Sequence, residues 1–192
     1  MFDLLDDMES EEKYKLWEKR LKQRIFVVDA LKAAEMHWFF VQGFQAIWNE
    51  LYIPGVLSLI NGVEASLRFT LCQLKDPGCV EPDNWSLLNN KLISAAQQQG
   101  LPIEALAFPD ENDFLLNLAS RSPVKSVKIV TIRNDVCHGN LSKFVNHDLG
   151  EDNLFLTPEC LRDLSGELIE LSMKWVKELG GFRAAQFSKK VF

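Results

Sequence analysis

Three residues in one short segment combine side chains suited to phosphate chemistry. Arg133, Asn134 and His138 place a permanent cation, an amide and an imidazole within six residues. An Arg guanidinium holds a phosphate through two parallel hydrogen bonds, and a His imidazole exchanges a proton near neutral pH. Together they suit the cleavage of a phosphodiester without a metal ion. No other segment of the chain offers this pairing.

His138 differs from the other two histidines in its surroundings. His37 lies in an aromatic-rich helical pattern and is predicted to be packed, whereas His147 lies beside Asp148 in a polar loop and is predicted to face solvent. Cys137, next to His138, is predicted to be packed. The nucleotide-binding, zinc-protease and serine-hydrolase signatures are absent from the chain.

The segment resembles the R-x4-6-H motif of the HEPN superfamily. The match consists of Arg133, the polar residue Asn134 directly after it, and His138 after four intervening residues. The resemblance implies an all-helical domain, and many members of the superfamily are ribonucleases in toxin, phage-defence and RNA-processing systems. It also implies a composite active site at a homodimer interface.

The spacing of the motif points the same way as the resemblance. Residues five apart on an α-helix are separated by about 500°, or roughly 140° after whole turns are removed. Arg133 and His138 of one chain therefore do not readily face one phosphate. A two-fold dimer brings two copies around one cleft. Asn134 and His138, four apart, share a side, so the amide could orient the imidazole or bind phosphate.

The reaction implied by the resemblance is RNA cleavage by attack of a ribose 2′-hydroxyl on the adjacent phosphorus, which leaves a 2′,3′-cyclic phosphate. His138 is the expected general acid or base, and Arg133 the expected stabiliser of the phosphorane oxygens. No metal or other cofactor is expected. The expected substrate is RNA, in single-stranded or loop regions that include tRNA.

Charge along the chain suggests contacts for such a substrate. Residues 121–143 hold five basic side chains against one acidic side chain, so Lys125, Lys128 and Lys143 are candidate contacts to the RNA backbone. The whole chain carries a net charge of −6, and this excess lies in the acidic segment 1–12. That segment could shield the basic surface or bind an antitoxin or regulatory protein, and a solvated helix start is the simpler interpretation.

Glu64 interrupts an apolar helical stripe and is the candidate supporting residue. A carboxylate that faces a core must be paired. Arg68, four residues later, is the simplest partner. The alternative is that Glu64 reaches Arg133 or the cleft and positions the motif.

Two other functions stay open. A non-catalytic HEPN-like module could bind RNA, a nucleotide or a protein through the same surface, and a helical adaptor could have no connection with RNA. In either case His138 would simply favour the negative end of a helix dipole, and Arg133 would pair with an acid.

The composition predicts one helical domain over residues 1–192. The chain has 47% hydrophobic and 25% charged residues, which is ordinary for a soluble domain. It shows neither a secretory signal nor a run of about twenty apolar residues. Its four cysteines are dispersed without a C-x-x-C pair, which predicts free thiols in a reducing cytoplasm.

Hydrophobic periodicity predicts an all-α bundle of five or six helices. The first has an apolar stripe from Tyr14 to Leu31 and continues to Trp48, with a break near Gly43 left open. Pro54 opens the next helix, residues 75–83 form a loop, and a helix over 85–99 ends at Gly100.

The second half is predicted with the same rules. Residues 101–123 form short helical pieces. Ser122 and Pro123 then cap a helix that ends at Gly139, and helix is favoured over strand for its β-branched run. After a loop over 140–153, Thr157 and Pro158 open a last long helix, which Gly180 and Gly181 close.

Overall fold

The computed structural model describes residues 10–82, 87–145 and 155–187. This part of the chain contains no β-strand, so the predicted all-α bundle is confirmed. It forms seven α-helices: α1 (Ser10–Leu31), α2 (Ala34–Trp48), α3 (Tyr52–Lys75), α4 (Asn90–Gln98), α5 (Phe114–Ala119), α6 (Lys128–Cys137) and α7 (Arg162–Phe187). Single 3-10 turns lie at Ile103–Leu106, Leu141–Phe144 and Pro158–Leu161. None of the described helices is long and apolar enough to cross a membrane.

Helices α2 and α3 form an antiparallel hairpin with the most extensive contact in the fold. Their backbones approach closely at Gly43, where a Cβ atom would lie 3.2 Å from the carbonyl oxygen of Gly55 and 2.6 Å from Leu59 Cδ2. Gly43 therefore permits packing and does not break α2. The break lies instead between α1 and α2, where Lys32 takes a left-handed conformation with φ 50°.

Helix α7 packs against α1 and α3 and carries Trp175, which is fully buried. The predicted end of this helix at Gly180 and Gly181 is wrong, because α7 continues to Phe187. Gly180 is instead a site of close approach, since a Cβ atom there would lie 2.9 Å from the carbonyl oxygen of Ala30. The predicted start at Pro158 is a 3-10 turn that leads into α7.

The apolar stripe of α1 is only partly covered. Val27 and Leu31 are buried, but Tyr14, Trp17 and Ile25 are 62%, 57% and 50% exposed. A stripe of this spacing predicts a helix correctly, but it does not show how much of its length the neighbouring helices cover.

The loop after α3 contains a disulfide that the sequence analysis did not predict. Cys72, in the last turn of α3, is bonded to Cys79, and their Cα atoms are 5.9 Å apart. The turn over 76–79 reverses the chain and brings the two cysteines together, with the Cys79 N–H donating to the Asp76 carbonyl oxygen at 2.9 Å. The prediction of free thiols is therefore wrong for this pair. Disulfides persist mainly in oxidising compartments, so this bond does not favour a reducing cytoplasm.

Helix α4 starts later than predicted, at Asn90. The Asn89 side chain accepts a hydrogen bond from the Leu92 N–H at 2.9 Å and so caps the helix. Its end is as predicted, because Gly100 has a φ of +78°. The predicted first residues, 85 and 86, lie outside the described part of the chain.

Candidate functional site: the C-terminal end of α6

Helix α6 carries the Arg-Asn-His motif and buries one face of β-branched residues. Ile129, Val130, Ile132 and Val136 are buried, and α6 packs against α3. The preference for helix over strand is therefore confirmed. On the opposite side of the helix Thr131 and Asn134 are exposed, as is His138 at its end.

The N-terminus of α6 is not where the sequence analysis predicted it. Residues 122–123 lie in a loop, and the helix starts at Lys128. The Lys128 N–H donates to Glu111 Oε1 at 2.6 Å, and the preceding Val127 N–H donates to Asn90 Oδ1 at 3.2 Å. Burial raises the pKa of Glu111. Side chains from distant parts of the chain thus replace the local Ser cap.

The C-terminus of α6 is fixed by its own backbone. The Asn140 N–H donates to the Asp135 carbonyl oxygen at 2.8 Å, and the Gly139 N–H donates to the Val136 carbonyl oxygen at 3.3 Å. Gly139 has a φ of +73°. This pair of bonds is a Schellman motif, and it makes His138 the last, capping residue of α6. The His138 side chain is exposed.

Arg133 lies half-buried on the last turns of α6 and hydrogen-bonds its neighbour. Its Nη1 donates to Asn134 Oδ1 at 3.2 Å. Within the described residues no carboxylate pairs with Arg133, so the pairing with an acid considered above is not what the structure shows. The Asn134 amide is oriented towards Arg133 rather than towards the His138 imidazole, although all three side chains are accessible to solvent.

Asp135 is a site residue that the sequence analysis missed. It is only 7% exposed, and Lys143 Nζ lies 2.9 and 2.8 Å from its two carboxylate oxygens. This bond ties the 3-10 turn Leu141–Phe144 to the end of α6. The signal in the sequence was a single acid in an otherwise basic segment. Lys143 is therefore bound to a carboxylate at the position where an RNA contact was predicted.

Lys128, another predicted RNA contact, is also bound to carboxylates. Its Nζ lies 2.9 Å from Asp110 Oδ1 and 3.3 Å from Glu167 Oε2, above the ring of Phe108. Burial opposes the charge of Lys128, but the hydrogen bonds to the two acids raise its pKa overall. The Lys125 side chain is exposed and has no partner among the described residues.

Glu64 is buried in α3, and neither its hydrogen bond nor its ion pair involves α6. Its Oε2 accepts the Leu88 N–H at 2.8 Å, and its Oε1 lies 3.5 Å from Arg68 Nη1. The predicted pairing with Arg68 is present. The alternative in which Glu64 reaches Arg133 is not, because Glu64 instead anchors the chain that leads into α4.

The prediction for His37 is confirmed and that for Cys137 is wrong. Others concern residues outside the described part of the chain. His37 is 8% exposed, as predicted for a packed residue. Cys137 is exposed, so the prediction of a packed thiol is wrong: it is the last residue of α6, directly before the capping His138. His147 and the first nine residues of the acidic segment lie outside the described residues.

The described residues contain no group of three or more His, Cys, Asp or Glu side chains arranged to bind a metal ion. The chain matches no protein-family model, no curated protein and no solved structure.

Proposed function

We propose that this protein is a HEPN-like endoribonuclease that cleaves RNA without a metal ion, as a toxin or phage-defence effector. The observation that carries the proposal is the end of α6, where Arg133, Asn134 and His138 are accessible to solvent. Arg133 has no carboxylate partner among the described residues, so its guanidinium is available to a phosphate.

In the proposed reaction the ribose 2′-oxygen attacks phosphorus, and the bond from phosphorus to the 5′-oxygen breaks. One His138 imidazole accepts the proton of the 2′-hydroxyl, and a second protonates the departing 5′-oxygen. Arg133 donates to the non-bridging oxygens as negative charge develops on them. The products are a 2′,3′-cyclic phosphate and a 5′-hydroxyl end.

Two imidazoles and a correctly placed guanidinium require two copies of α6. Because Arg133 and His138 are about 140° apart around the helix axis, we propose a homodimer in which the motif of each subunit completes the cleft of the other. The Schellman motif supports this arrangement, since it holds the backbone of His138 in one conformation at the helix end.

The ion pairs of Lys128 and Lys143 restrict the RNA contacts that we propose. Both ammonium groups are held by carboxylates, which leaves Arg121, Lys125 and Arg133 as the cations in this region for the RNA backbone. We therefore propose a small footprint on single-stranded or loop RNA, tRNA included, rather than an extended duplex contact.

The test is incubation of the purified protein with total RNA and tRNA in EDTA, followed by analysis of the ends. We expect cyclic phosphate ends with the wild-type protein, and a rate at least about 100-fold lower with Arg133→Ala/His138→Ala. Lys174→Ala, which removes an exposed cation from α7, is the matched control and should cleave normally.

Other results of this test would support one of the alternative functions. A dimer that binds RNA but does not cut it would indicate a binding module. A folded monomer with no affinity for RNA would indicate an adaptor. Equal cleavage by the wild-type protein and the double variant would remove α6 from the mechanism.

A further inference from the structure

A pocket of about 330 Å³ lies on the outer face of α3, and its volume is at the lower end for small-molecule sites. Its polar side chains come from successive turns of α3, and its other walls come from α2 and from the loop after α3. The lining includes Phe39, Asn61, Glu64, Arg68, Phe69 and Pro82.

Two interactions hold the walls of this pocket in place. The Ser58 hydroxyl donates to the carbonyl oxygen of Phe39 at 2.7 Å, which ties the α2 wall to α3. The disulfide between Cys72 and Cys79 fixes the loop that carries Pro82. The pocket is therefore built from fixed elements on each side, and a ligand would meet formed walls.

The charged groups in the pocket are only partly covered, with the Arg68 side chain 30% exposed, and they are incompletely paired. The Glu64 side chain is 11% exposed, and its Oε1 lies 3.5 Å from Arg68 Nη1, well beyond the usual 2.7–2.9 Å of a charge-assisted hydrogen bond. Arg68 Nε is buried without a partner. The Asn61 amide has no partner among the described residues. Glu64 Oε2 already accepts the Leu88 N–H, so Glu64 Oε1 and the terminal nitrogens of Arg68 are the groups with bonding capacity left for a ligand.

The Glu64 acceptor and the Arg68 donors match the hydrogen-bonding groups along the edge of a purine base. We propose that the pocket binds a guanine base, carried by a free nucleotide or by an RNA strand. Guanine presents the N1–H donor, the O6 acceptor and the N7 acceptor in that order. Glu64 Oε1 accepts from N1–H, and the terminal nitrogens of Arg68 donate to O6 and N7, which is the common pairing of Arg with guanine. Phe39 and Phe69 supply rings against which a base can stack.

The same arrangement discriminates against adenine. Adenine has an amino group in the place of O6, so a donor would face the Arg68 donors and both would be left unpaired. The proposal does not depend on RNA cleavage, because neither Glu64 nor Arg68 belongs to the motif on α6.

The first experiment measures the affinity of the full chain for guanosine 5′-monophosphate and adenosine 5′-monophosphate by calorimetry. We expect the guanine nucleotide to bind at least about 10-fold more tightly. Arg68→Met keeps an unbranched apolar stem without the guanidinium donors, and it should lose this preference. Arg133→Ala/His138→Ala should keep it, so that failure of the proposed nuclease and failure of the guanine site are distinguishable.

A second probe avoids the risk that Arg68→Met does not fold. The 7-deaza analogue of the guanine nucleotide lacks the N7 acceptor, so it should bind the wild-type protein more weakly than the parent. Non-cleavable 2′-O-methyl oligonucleotides with a single guanine or adenine distinguish an RNA strand from a free nucleotide as the natural ligand. Equal affinity for guanine and adenine in both forms, or no effect of N7 removal, would overturn the proposal.

Discussion

At the scale of single residues, the partner of each charged side chain decides what it can do. Arg133 and His138 lie on the same helix as Lys128, yet only Lys128 is bound to carboxylates from other elements. The residue types in this segment were known from the sequence, and their chemistry was predicted from it. Which of the cations are free for a phosphate depends on acids that lie up to 39 residues away.

We expect His37 to make the stability of the fold sensitive to acid. Burial lowers its pKa below the usual value of about 6.5, and Glu35 only partly opposes this. The unfolded chain therefore binds a proton at a higher pH than the folded chain does. We expect the contribution of neutral His37 to the free energy of unfolding to be fully present above about pH 7. It should be lost as the pH drops through about 6.5 towards the lower pKa of the folded state.

The check is thermal unfolding between pH 7.5 and pH 5 of the wild-type protein and of His37→Gln, which cannot titrate. The variant should show a smaller decrease in melting temperature over this range. Parallel curves for the two proteins would show that His37 does not contribute to the acid sensitivity.

At the scale of elements, helix ends differ in the distance along the chain to the residues that fix them. Gly100 and Gly139 end α4 and α6 through left-handed conformations that local residue type predicts. The start of α6 depends instead on Glu111, which lies 17 residues before Lys128. The local Ser-Pro signal was wrong for this reason: the cap that the helix uses comes from another segment.

The cap can be tested with a matched pair of variants. Glu111→Ala removes the acceptor for the Lys128 N–H and should lower the free energy of unfolding by about 0.5–2 kcal/mol. Glu111→Gln retains an acceptor oxygen of the same reach and should cost less. Urea denaturation measures both. Equal losses for the two variants would mean that the negative charge, not the hydrogen bond, stabilises α6.

At the scale of the whole molecule, α3 and α7 are joined through a buried polar contact. Trp175 Nε1 donates to Ser66 Oγ at 2.8 Å, and the Ser66 hydroxyl donates onward to the carbonyl oxygen of Val63 at 2.8 Å. Both side chains are fully buried. The contact fixes how the two longest helices lie against each other, because a shift would leave the indole N–H unpaired.

Ser66→Ala should therefore cost about 1–3 kcal/mol of unfolding free energy, since it leaves that N–H without an acceptor. Trp175→Phe removes the N–H and also leaves a cavity. In a double-mutant cycle by urea denaturation, the second substitution should cost less on the Ser66→Ala background than in the wild-type protein. Additive costs would show that the hydrogen bond does not stabilise the contact between α3 and α7.

The sequence by itself determined the fold class, most helices and the position of the motif at a helix end. These features depend on local properties: the apolar repeat of about 3.6 residues, the conformational freedom of Gly139, and residue types within one or two turns. Such interactions lie within a short window of the chain, so periodicity and residue type are enough to predict them.

Only the tertiary structure decided which surfaces are covered and which charges are paired. The bonds of Lys143 to Asp135 and of Lys128 to Glu167, the exposure of Trp17 and the bond between Cys72 and Cys79 all depend on how the segments fold back on one another. Even the seven residues between Asp135 and Lys143 contain the end of a helix and the start of a 3-10 turn. Spacing along the chain does not specify these contacts, because packing free energy depends on distances in space.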